Sequence, residues 1–220
     1  MDVGVNWKLG FSLNISGLKS GIHLQLEEIQ MLKYLLPLLW FLLSVPAFAG
    51  TNLVKNPGFE ESRQNNPNLP RDWEATETIH VSPEYVRENV SLVPAGKRGN
   101  SLRINLTKKV ADGPGLGFIS DWIKLTPGKD YELKVDIKSQ GPTVIIFAIG
   151  YDLEEGQKMV IYRAPMHLRP QSNAWETFSR SFPSPSGKRI FAKVKWLRIK
   201  LYTYHPQGEV YFDNISLKTK

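Results

Sequence analysis

The residues that follow Gly50 predict an all-β fold, a two-sheet antiparallel sandwich of the jelly-roll type. About ten short strand-like segments are separated by turn signals rich in glycine, proline and asparagine, which is typical of β-sandwiches. No stretch after Gly50 combines a sustained helical period with capping residues, so helices are not expected to build the domain. We therefore expect one sandwich domain over residues 50–220.

The individual strands differ in how clearly the sequence marks them. Residues 131–138 give the clearest pattern, because aromatic or aliphatic residues at odd positions alternate with charged residues at even positions. That alternation predicts a strand with one buried and one solvated face. Residues 143–151 are apolar on both faces, which predicts a central strand of the sandwich. Residues 101–107 and 209–218 also alternate, and we expect both to be strands.

Residues 193–204 predict a strand with an unusual solvent face. Leu197, Ile199 and Leu201 share the face that we expect to be buried. The opposite face carries aromatic rings beside long hydrogen-bond donors: Trp196, Arg198, Lys200, Tyr202 and Tyr204. Such a surface suits sugars, which present apolar CH faces ringed by hydroxyl groups. Tyr162 is a further candidate for this binding face. The alternative is that Trp196 turns inward through a bulge and the tyrosines cap the sheet edge.

Two carboxylates near the ends of the domain are candidate metal ligands. Glu60 follows Phe59 and a turn signal, and Asp213 alternates in phase with Ile215 and Leu217. A carboxylate on a buried face is costly without a partner, and two that need one cation suggest a hard metal ion such as Ca²⁺. The alternative is that each carboxylate is solvated or pairs with a lysine or an arginine.

Composition narrows the functional classes. The 220-residue chain has no cysteine, which excludes a disulfide framework and a thiolate metal site. Its net charge of +7 could favour nucleic acid, anionic lipid or acidic polysaccharide. The basic residues are spread along strand-like segments without a nucleic-acid motif, so nucleic acid is not an expected partner.

Catalytic motifs are absent from the sequence. The four histidines lie far apart, and we find no nucleophile elbow, phosphate-binding loop or zinc-protease motif. Asp152, Glu154 and Glu155 form an acidic cluster that could in principle hydrolyse glycosides, but neighbours on one short segment are more typical of a solvated turn. We expect no enzymatic activity.

Residues 31–49 predict a secretory signal peptide. A positive residue, a short apolar core and the small-x-small cleavage site at residues 47–49 follow one another in order. The apolar core is short for a membrane span, so we expect no span after cleavage; an uncleaved anchor is the alternative. Residues 1–30 do not resemble part of a signal, which indicates an upstream start-site miscall and a true start at Met31. We expect a secreted or periplasmic (cell-envelope) protein, and the compact signal suggests a bacterial one.

Several blocks of the domain resemble the carbohydrate-binding modules of families four, nine and twenty-two, which belong to the galactose-binding-like jelly-roll superfamily. The blocks are NLVKNPGFEE from Asn52, PRDW from Pro70, GNSLRI from Gly99, LTPGKDYEL from Leu125, WETF from Trp175 and VYFDNISL from Val210. Each block is loose by itself, but the ordered set covers nearly the whole of residues 50–220.

The resemblance implies a sandwich that binds glycans without catalysis and often holds a structural calcium ion. Family members often use a glutamate after the opening Gly-Phe block and the aspartate of the closing strand as ligands, which here are Glu60 and Asp213. The modules usually accompany a glycoside hydrolase domain, and none is recognisable in these 220 residues. We therefore expect a secreted glycan-binding protein, with an acidic glycan favoured by the basic balance. The alternative is an envelope structural or protein-interaction sandwich without sugar binding.

Overall fold

A computed structural model describes residues 50–77, 80–154, 156–170 and 173–220. The predicted upstream extension, residues 1–30, and the predicted signal peptide, residues 31–49, lie outside the described residues. In chain order the strands are β1 (Ser62–Arg63), β2 (Asn66–Pro70), β3 (Trp73–Thr76), β4 (Val90–Val93), β5 (Ser101–Leu106), β6 (Leu116–Ser120), β7 (Ile123–Lys124), β8 (Tyr131–Gln140), β9 (Thr143–Glu154), β10 (Gln157–Leu168), β11 (Glu176–Phe182), β12 (Trp196–Tyr204) and β13 (Gly208–Thr219). The helices are α1 (Pro83–Asn89), α2 (Lys108–Ala111) and α3 (Lys188–Phe191), and a 3₁₀ turn covers Pro185–Gly187.

The strands form two main antiparallel sheets. One has five strands in the order β11-β8-β13-β5-β4. The other has six, in the order β10-β9-β12-β6-β3, with β7 also paired to β12; β1 and β2 form a separate short ribbon. Each recorded pairing is antiparallel. The predicted fold class, an all-β two-sheet antiparallel jelly-roll sandwich, is confirmed.

The core consists of residues that alternate inward from the two main sheets. Residues 131–138 behave as predicted, since Tyr131, Leu133 and Val135 are at most 2% exposed. Trp73 begins β3 fully buried, and its ring lies 5.3 Å from that of Phe59. Residues 143–151 lie within β9, which is the second strand of the six-stranded sheet, between β10 and β12. Both faces of this segment are largely covered, since Val144 and Ile146 are fully buried and Ile145 and Ile149 on the other face are only 9% exposed.

The first described segment is hydrogen-bonded to the last strand. Leu53 N donates to Leu217 O at 2.9 Å. The Asn52 side chain completes this contact, because its Nδ2 donates to Ile215 O and its Oδ1 accepts from Leu217 N, both at 2.9 Å. The two end segments that contain Glu60 and Asp213 therefore lie side by side.

The register of β13 corrects one prediction. A bulge between Asp213 and Ser216 places Asn214 in the left-handed region, at φ 48°. The extra residue changes the phase of the strand, so Phe212 and Ile215 both point into the core. Asp213 therefore does not share a face with Ile215 and Leu217, and that part of the sequence interpretation is wrong.

Short helices also occur where the sequence predicted none. In α1, Ser82 Oγ accepts from Tyr85 N at 3.2 Å and proline occupies the first turn, which is a standard helix start. Seven residues are too few to show a helical period in the sequence. Among the described residues, none of the helices has the length and apolar character needed to cross a bilayer.

Candidate functional site

The outer face of the six-stranded sheet gathers most of the predicted ligand-binding residues. Along β12, Leu197, Ile199 and Leu201 are fully buried, while the residues between them are partly exposed. The outward set is Trp196, Arg198, Lys200, Tyr202 and Tyr204. Trp196 does not turn inward, so the alternative reading of this strand does not hold. We call these five residues, with their outward neighbours on β9 and β10 and the turn between β6 and β7, the aromatic face.

Three rings lie together at one end of the aromatic face. Trp122 packs edge-on against Tyr151 with ring centroids 4.8 Å apart, and Tyr151 is the register partner of Trp196. Lys158 Nζ lies 4.5 Å from the Trp122 ring centroid and 5.2 Å from that of Trp196. Arg198 Cζ lies 4.9 Å from Trp122 on the same cluster. We call Trp122, Tyr151 and Trp196 the aromatic cluster; its rings are held by packing and by cation–π contacts.

Trp122 belongs to this cluster although sequence reasoning missed it. It follows Asp121, whose backbone N donates to Asp72 O at 2.7 Å and whose carboxylate pairs with Lys55 Nζ at 2.6 Å. These contacts fix the turn between β6 and β7, and the turn aims the indole at Tyr151. The sequence pattern could have placed Trp122 on the outer face, because Trp122 alternates in phase with Lys124 and out of phase with buried Ile123.

The middle of the aromatic face is an apolar stripe on β9. Ile145 and Ile149 are each 9% exposed, and Phe147 between them is half-buried. In register, Phe147 lies opposite Lys200 and Ile149 opposite Arg198. The stripe therefore continues from the aromatic cluster along the sheet, with long polar side chains beside it.

Arg198 and Lys200 are held by contacts within the protein. Arg198 Nε donates to Ser120 O at 2.6 Å and its Nη2 lies 3.1 Å from Glu74 Oε2, which leaves the side chain 14% exposed. Lys200 forms an ion pair with Glu77. Gly117 makes room for that pair, because a Cβ there would lie 2.9 Å from both Glu77 Oε2 and Lys200 Cε. Both cations were predicted as ligand donors, and each already has an acidic partner.

Two tyrosines stack at the opposite end of the aromatic face. The rings of Tyr202 and Tyr204 have centroids 5.7 Å apart and an interplanar angle of 21°. The Tyr202 hydroxyl donates to Pro114 O at 2.7 Å, and burial raises the pKa of this phenol. The stack is therefore oriented by the backbone and presents ring surface beside the β9 stripe.

Tyr162 does not lie on the aromatic face, and its predicted placement there is wrong. A bulge between Val160 and Tyr162 shifts the phase of β10. The Tyr162 ring consequently packs against Phe191, with centroids 4.8 Å apart, and lies 6.5 Å from Phe182. It caps the core at the end that carries α3.

Asp213, one of the two candidate metal ligands, is fully buried on the outer side of the five-stranded sheet. Its Oδ2 accepts from Lys97 N at 2.8 Å and from Arg98 N at 3.3 Å, and its Oδ1 accepts from Asn214 N at 2.7 Å. The loop that carries these amides covers the carboxylate. Burial raises the pKa of Asp213, and neighbouring Asp136 acts in the same direction. In the described part of the chain, neither lysine nor arginine side chains pair with Asp213.

Glu60 lies beside the same loop but is exposed. Both of its carboxylate oxygens accept from Asn100 N, at 3.1 and 3.2 Å. A Cβ on Gly58 would lie 3.6 Å from Asp213 Oδ1 and 3.7 Å from Glu60 Oε1, so the two carboxylates face one small space. This oxygen donor set suits Ca²⁺. The described residues hold no cluster of three or more acidic or histidine side chains fit for a metal, so further ligands would be backbone carbonyls or water.

The acidic cluster considered for hydrolysis shows no catalytic arrangement at the residue that can be described. Asp152 pairs with Lys195 at 2.9 Å, and its hydrogen bond to that lysine lowers the pKa of the carboxyl group. The side chains of Glu154 and Glu155 lie outside the described residues. An ion-paired Asp152 is a poor general acid, because a lowered pKa favours the ionised carboxylate, which has no proton to donate.

Comparisons with known proteins find likeness in structure but no match in sequence. Neither a protein-family model nor a curated protein matches the chain. A cyclase from Fischerella sp. TAU superimposes with a TM-score of 0.55 at 20% identity, over 78% of this chain and 98% of the cyclase. The enzymatically active domain of tailspike protein 4 from bacteriophage CBA120 gives a TM-score of 0.53 at 14% identity, over 77% of this chain. This chain spans only 21% of that tailspike chain.

A family-four carbohydrate-binding module is more distant in structure. It gives a TM-score of 0.48 at 17% identity, over 76% of this chain and 99% of the module, which is too remote to support a conclusion about function. The cyclase and the tailspike domain share the fold at identities too low to transfer an activity. The comparisons therefore establish a β-sandwich fold that occurs in proteins of different functions.

Proposed function

We propose that this protein is a non-catalytic glycan-binding β-sandwich and that the aromatic face is its binding surface. The carrying observation is the aromatic cluster, in which Trp122, Tyr151 and Trp196 lie together on an outer sheet face with Lys158 against two of the rings. Partly exposed rings beside polar donors match the CH faces and hydroxyl groups of a sugar. The stacked Tyr202 and Tyr204 supply a second ring platform on the same face.

The dimensions of the face favour a polymer over a single sugar. Trp196 and Tyr204 stand at opposite ends of the nine-residue strand β12, so the two ring platforms are about 26 Å apart at strand spacing. Ile145, Phe147 and Ile149 join them without a break. A glycan chain of several residues is therefore the ligand that could use both platforms at once.

Affinity electrophoresis through gels that contain soluble polysaccharides tests this proposal. We expect at least one polymer to retard the purified protein, and Trp196→Ala to remove most of the retardation. Tyr211→Ala on the other sheet is the matched control, since it removes an outward aromatic residue from the opposite face. If a broad panel of neutral and acidic polymers leaves mobility unchanged, glycan binding is refuted and the sandwich is better explained as an envelope protein-interaction domain.

Two further parts of the proposal concern calcium and location. A structural Ca²⁺ held by Glu60 and Asp213 would tie the opening segment to β13 and to the loop around Lys97. It would supply positive charge to the two carboxylates and take no part in sugar binding.

The working protein would lie outside the cytoplasm after cleavage behind residues 47–49. N-terminal sequencing of the exported protein should begin near Gly50. An exported protein that still begins at Met1 or Met31 would contradict cleavage at this site.

A further inference from the structure

The cations of the aromatic face fall into two groups with different surroundings. On β12, Arg198 pairs with Glu74 and Lys200 with Glu77. On the edge strand β10 and just beyond it, Arg163 and Arg169 are exposed, and in the described part of the chain no carboxylate pairs with either. We call Arg163 and Arg169 the basic flank. The positive charges on β12 are neutralised within the protein. The basic flank carries positive charge on the same face that a glycan could contact.

Arg163 is placed to reach a sugar that lies on the apolar stripe. It is the register partner of Ile149 on β9, and Ile149 is in turn the partner of Arg198 on β12. These three residues form one row across the sheet, and two strand spacings separate the arginines by about 10 Å. The charges of Arg163 and Arg198 both act on the Tyr151 phenol in the aromatic cluster and partly offset the rise that burial causes in its pKa. Arg163 therefore borders the ring platform while remaining unpaired.

Arg169 extends the basic flank to the other end of the face. It follows the last residue of β10 and lines a surface pocket of about 560 Å³ together with Thr143, Pro170 and His205. Thr143 is the register partner of Tyr204, so this pocket adjoins the tyrosine stack. Each ring platform thus has a basic neighbour: Lys158 at the aromatic cluster and Arg169 at the tyrosine stack, with Arg163 between them.

The sequence of β10 contains no acidic residue, and two carboxylates on neighbouring segments already have basic partners. Asp152 is used by Lys195, and Asp112 by His205 and Lys108. Five residues of β10, or about 17 Å at strand spacing, separate Lys158 from Arg163. Lys158 contacts the rings of the aromatic cluster and is not part of the basic flank.

Building on the proposed function, we infer that the ligand is an anionic glycan whose carboxylate or sulfate groups bind the basic flank, with Arg163 as the principal contact. A guanidinium that pairs with no carboxylate offers two parallel N–H donors to such a group. The sugar ring rests on the stripe and the ring platforms, and its acidic substituent points toward β10.

The test compares uronate polymers with their own carboxyl-reduced forms. Polygalacturonate, alginate and glucuronoxylan are used as probes, with dextran sulfate to separate sulfate from carboxylate recognition and a neutral β-glucan and galactan as further arms. Affinities are measured for the protein, for the Arg163→Gln/Arg169→Gln variant and for a Lys109→Gln/Lys129→Gln control. The control removes the same charge from two exposed lysines that lie outside the strands of the six-stranded sheet and form no ion pair in the described part of the chain.

We expect at least one acidic polymer to bind about tenfold or more tightly than its reduced form, because a charge-assisted bidentate contact is lost on reduction. The flank variant should lose that difference and bind the reduced polymer as before, and the control should keep it. Binding of dextran sulfate with the same dependence on the flank would assign the group to sulfate.

Equal affinity for acidic and reduced polymers overturns the inference while the proposed function stands. An equal loss in the lysine control overturns it as well, since general charge would then explain the preference. Failure of every polymer, neutral ones included, refutes the proposed function itself and the inference with it.

Discussion

In both main sheets, residues alternate between the core and the outer face. The two outer faces differ in whether their aromatic and charged groups have partners within the protein. On the five-stranded sheet, Arg103 and the Tyr211 hydroxyl both donate to Glu209, and Lys138 Nζ lies 4.9 Å from the Tyr211 ring centroid. On the six-stranded sheet, the rings of the aromatic cluster remain partly exposed. The basic flank beside them pairs with no carboxylate among the described residues.

This difference is the physical reason for proposing that a ligand binds on the six-stranded side. Polar groups that already satisfy one another gain little from a new partner, because a ligand must first replace their contacts. Exposed rings and an unpaired guanidinium are hydrated. A ligand can displace this water and form a new contact without breaking one within the protein. Under the proposed function, the five-stranded side stabilises the fold, and the exposed rings and the basic flank of the six-stranded side take part in recognition.

The largest expected effect tests the structural role of the five-stranded side. Asp213→Ala leaves three partly buried backbone N–H groups, of Lys97, Arg98 and Asn214, without their acceptor. We expect a loss of about 2–4 kcal/mol in the free energy of unfolding, because unsatisfied buried donors are costly. Urea unfolding measures it. Asp213→Asn keeps the size and one acceptor oxygen and should lose less.

Folded Asp213→Asn should also bind polysaccharide as the parent protein does. If Asp213→Ala lowers the free energy of unfolding by less than about 0.5 kcal/mol, which is the range of an ordinary surface substitution, the two faces do not divide their roles in this way.

Calcium gives the next test of the same side. If Glu60 and Asp213 hold Ca²⁺, saturating calcium should add about 2–3 kcal/mol to the stability of the protein, the gain expected at roughly a hundred times the dissociation constant. A thermal melt with calcium or with chelator detects it. Glu60→Gln should abolish most of the shift. Glu61→Gln is the control, because Glu61 pairs with Arg71 away from Asp213. Identical midpoints with calcium and chelator would remove the metal from the proposal.

Some positions on the two outer faces could be predicted from the sequence and others could not. The outward set on β12 was predictable, since a period of two depends only on the strand itself. The phase of Asp213 and the placement of Tyr162 were not, because each depends on a bulge that adds one residue to a strand. A bulge reflects pairing with the neighbouring strand, which a single segment does not encode.

Ion pairs between residues that are far apart in the sequence could not be predicted either. Arg198 and Glu74 are 124 residues apart in the chain, and Lys200 and Glu77 are 123 apart. The sequence placed both cations on the right face but could not show that each is neutralised. The proposed recognition of an acidic glycan is therefore assigned to the edge strand β10 and not to β12.

Removing a single ring tests the recognition side. Trp122→Ala should weaken polysaccharide binding by about 1.5–3 kcal/mol, the value of a large apolar side chain lost from a contact, or roughly ten- to a hundredfold. Isothermal titration against the best polymer measures it. Tyr211→Ala should change the affinity less than twofold. Equal losses in the two variants would mean that both faces contact the ligand.

Removing the acidic partner of a paired cation should change the affinity less than the loss of a ring does, and should raise it. Glu77→Gln removes the partner of Lys200 and leaves a free ammonium beside Phe147. We expect the affinity for an acidic polymer to rise about two- to fivefold, in line with the modest value of a single partly exposed charge pair. Affinity for the carboxyl-reduced polymer should stay unchanged. A fall in affinity for both polymers would show that the ion pair itself orients the ligand.

The smallest effect tests whether the polar network on the five-stranded face contributes only to stability. The hydrogen bond from Arg103 lowers the pKa of Glu209, and the Tyr211 hydroxyl acts in the same direction. A lowered pKa means that the folded state prefers the ionised form, so the network stabilises the protein above pH 4.5, the ordinary value of a glutamate. The stabilisation should decline as the pH falls below that value and be lost once the pH passes below the folded pKa.

Because the pair is partly exposed, we expect Glu209→Gln to cost about 0.5–1 kcal/mol at neutral pH. Urea unfolding of both proteins between neutral and acidic pH should show two curves that converge at the acidic end. Arg103→Gln should show the same convergence, and the double variant should cost no more than either single one, because both changes break one interaction. A gap that stays constant with pH would mean that Glu209 acts through packing instead of charge.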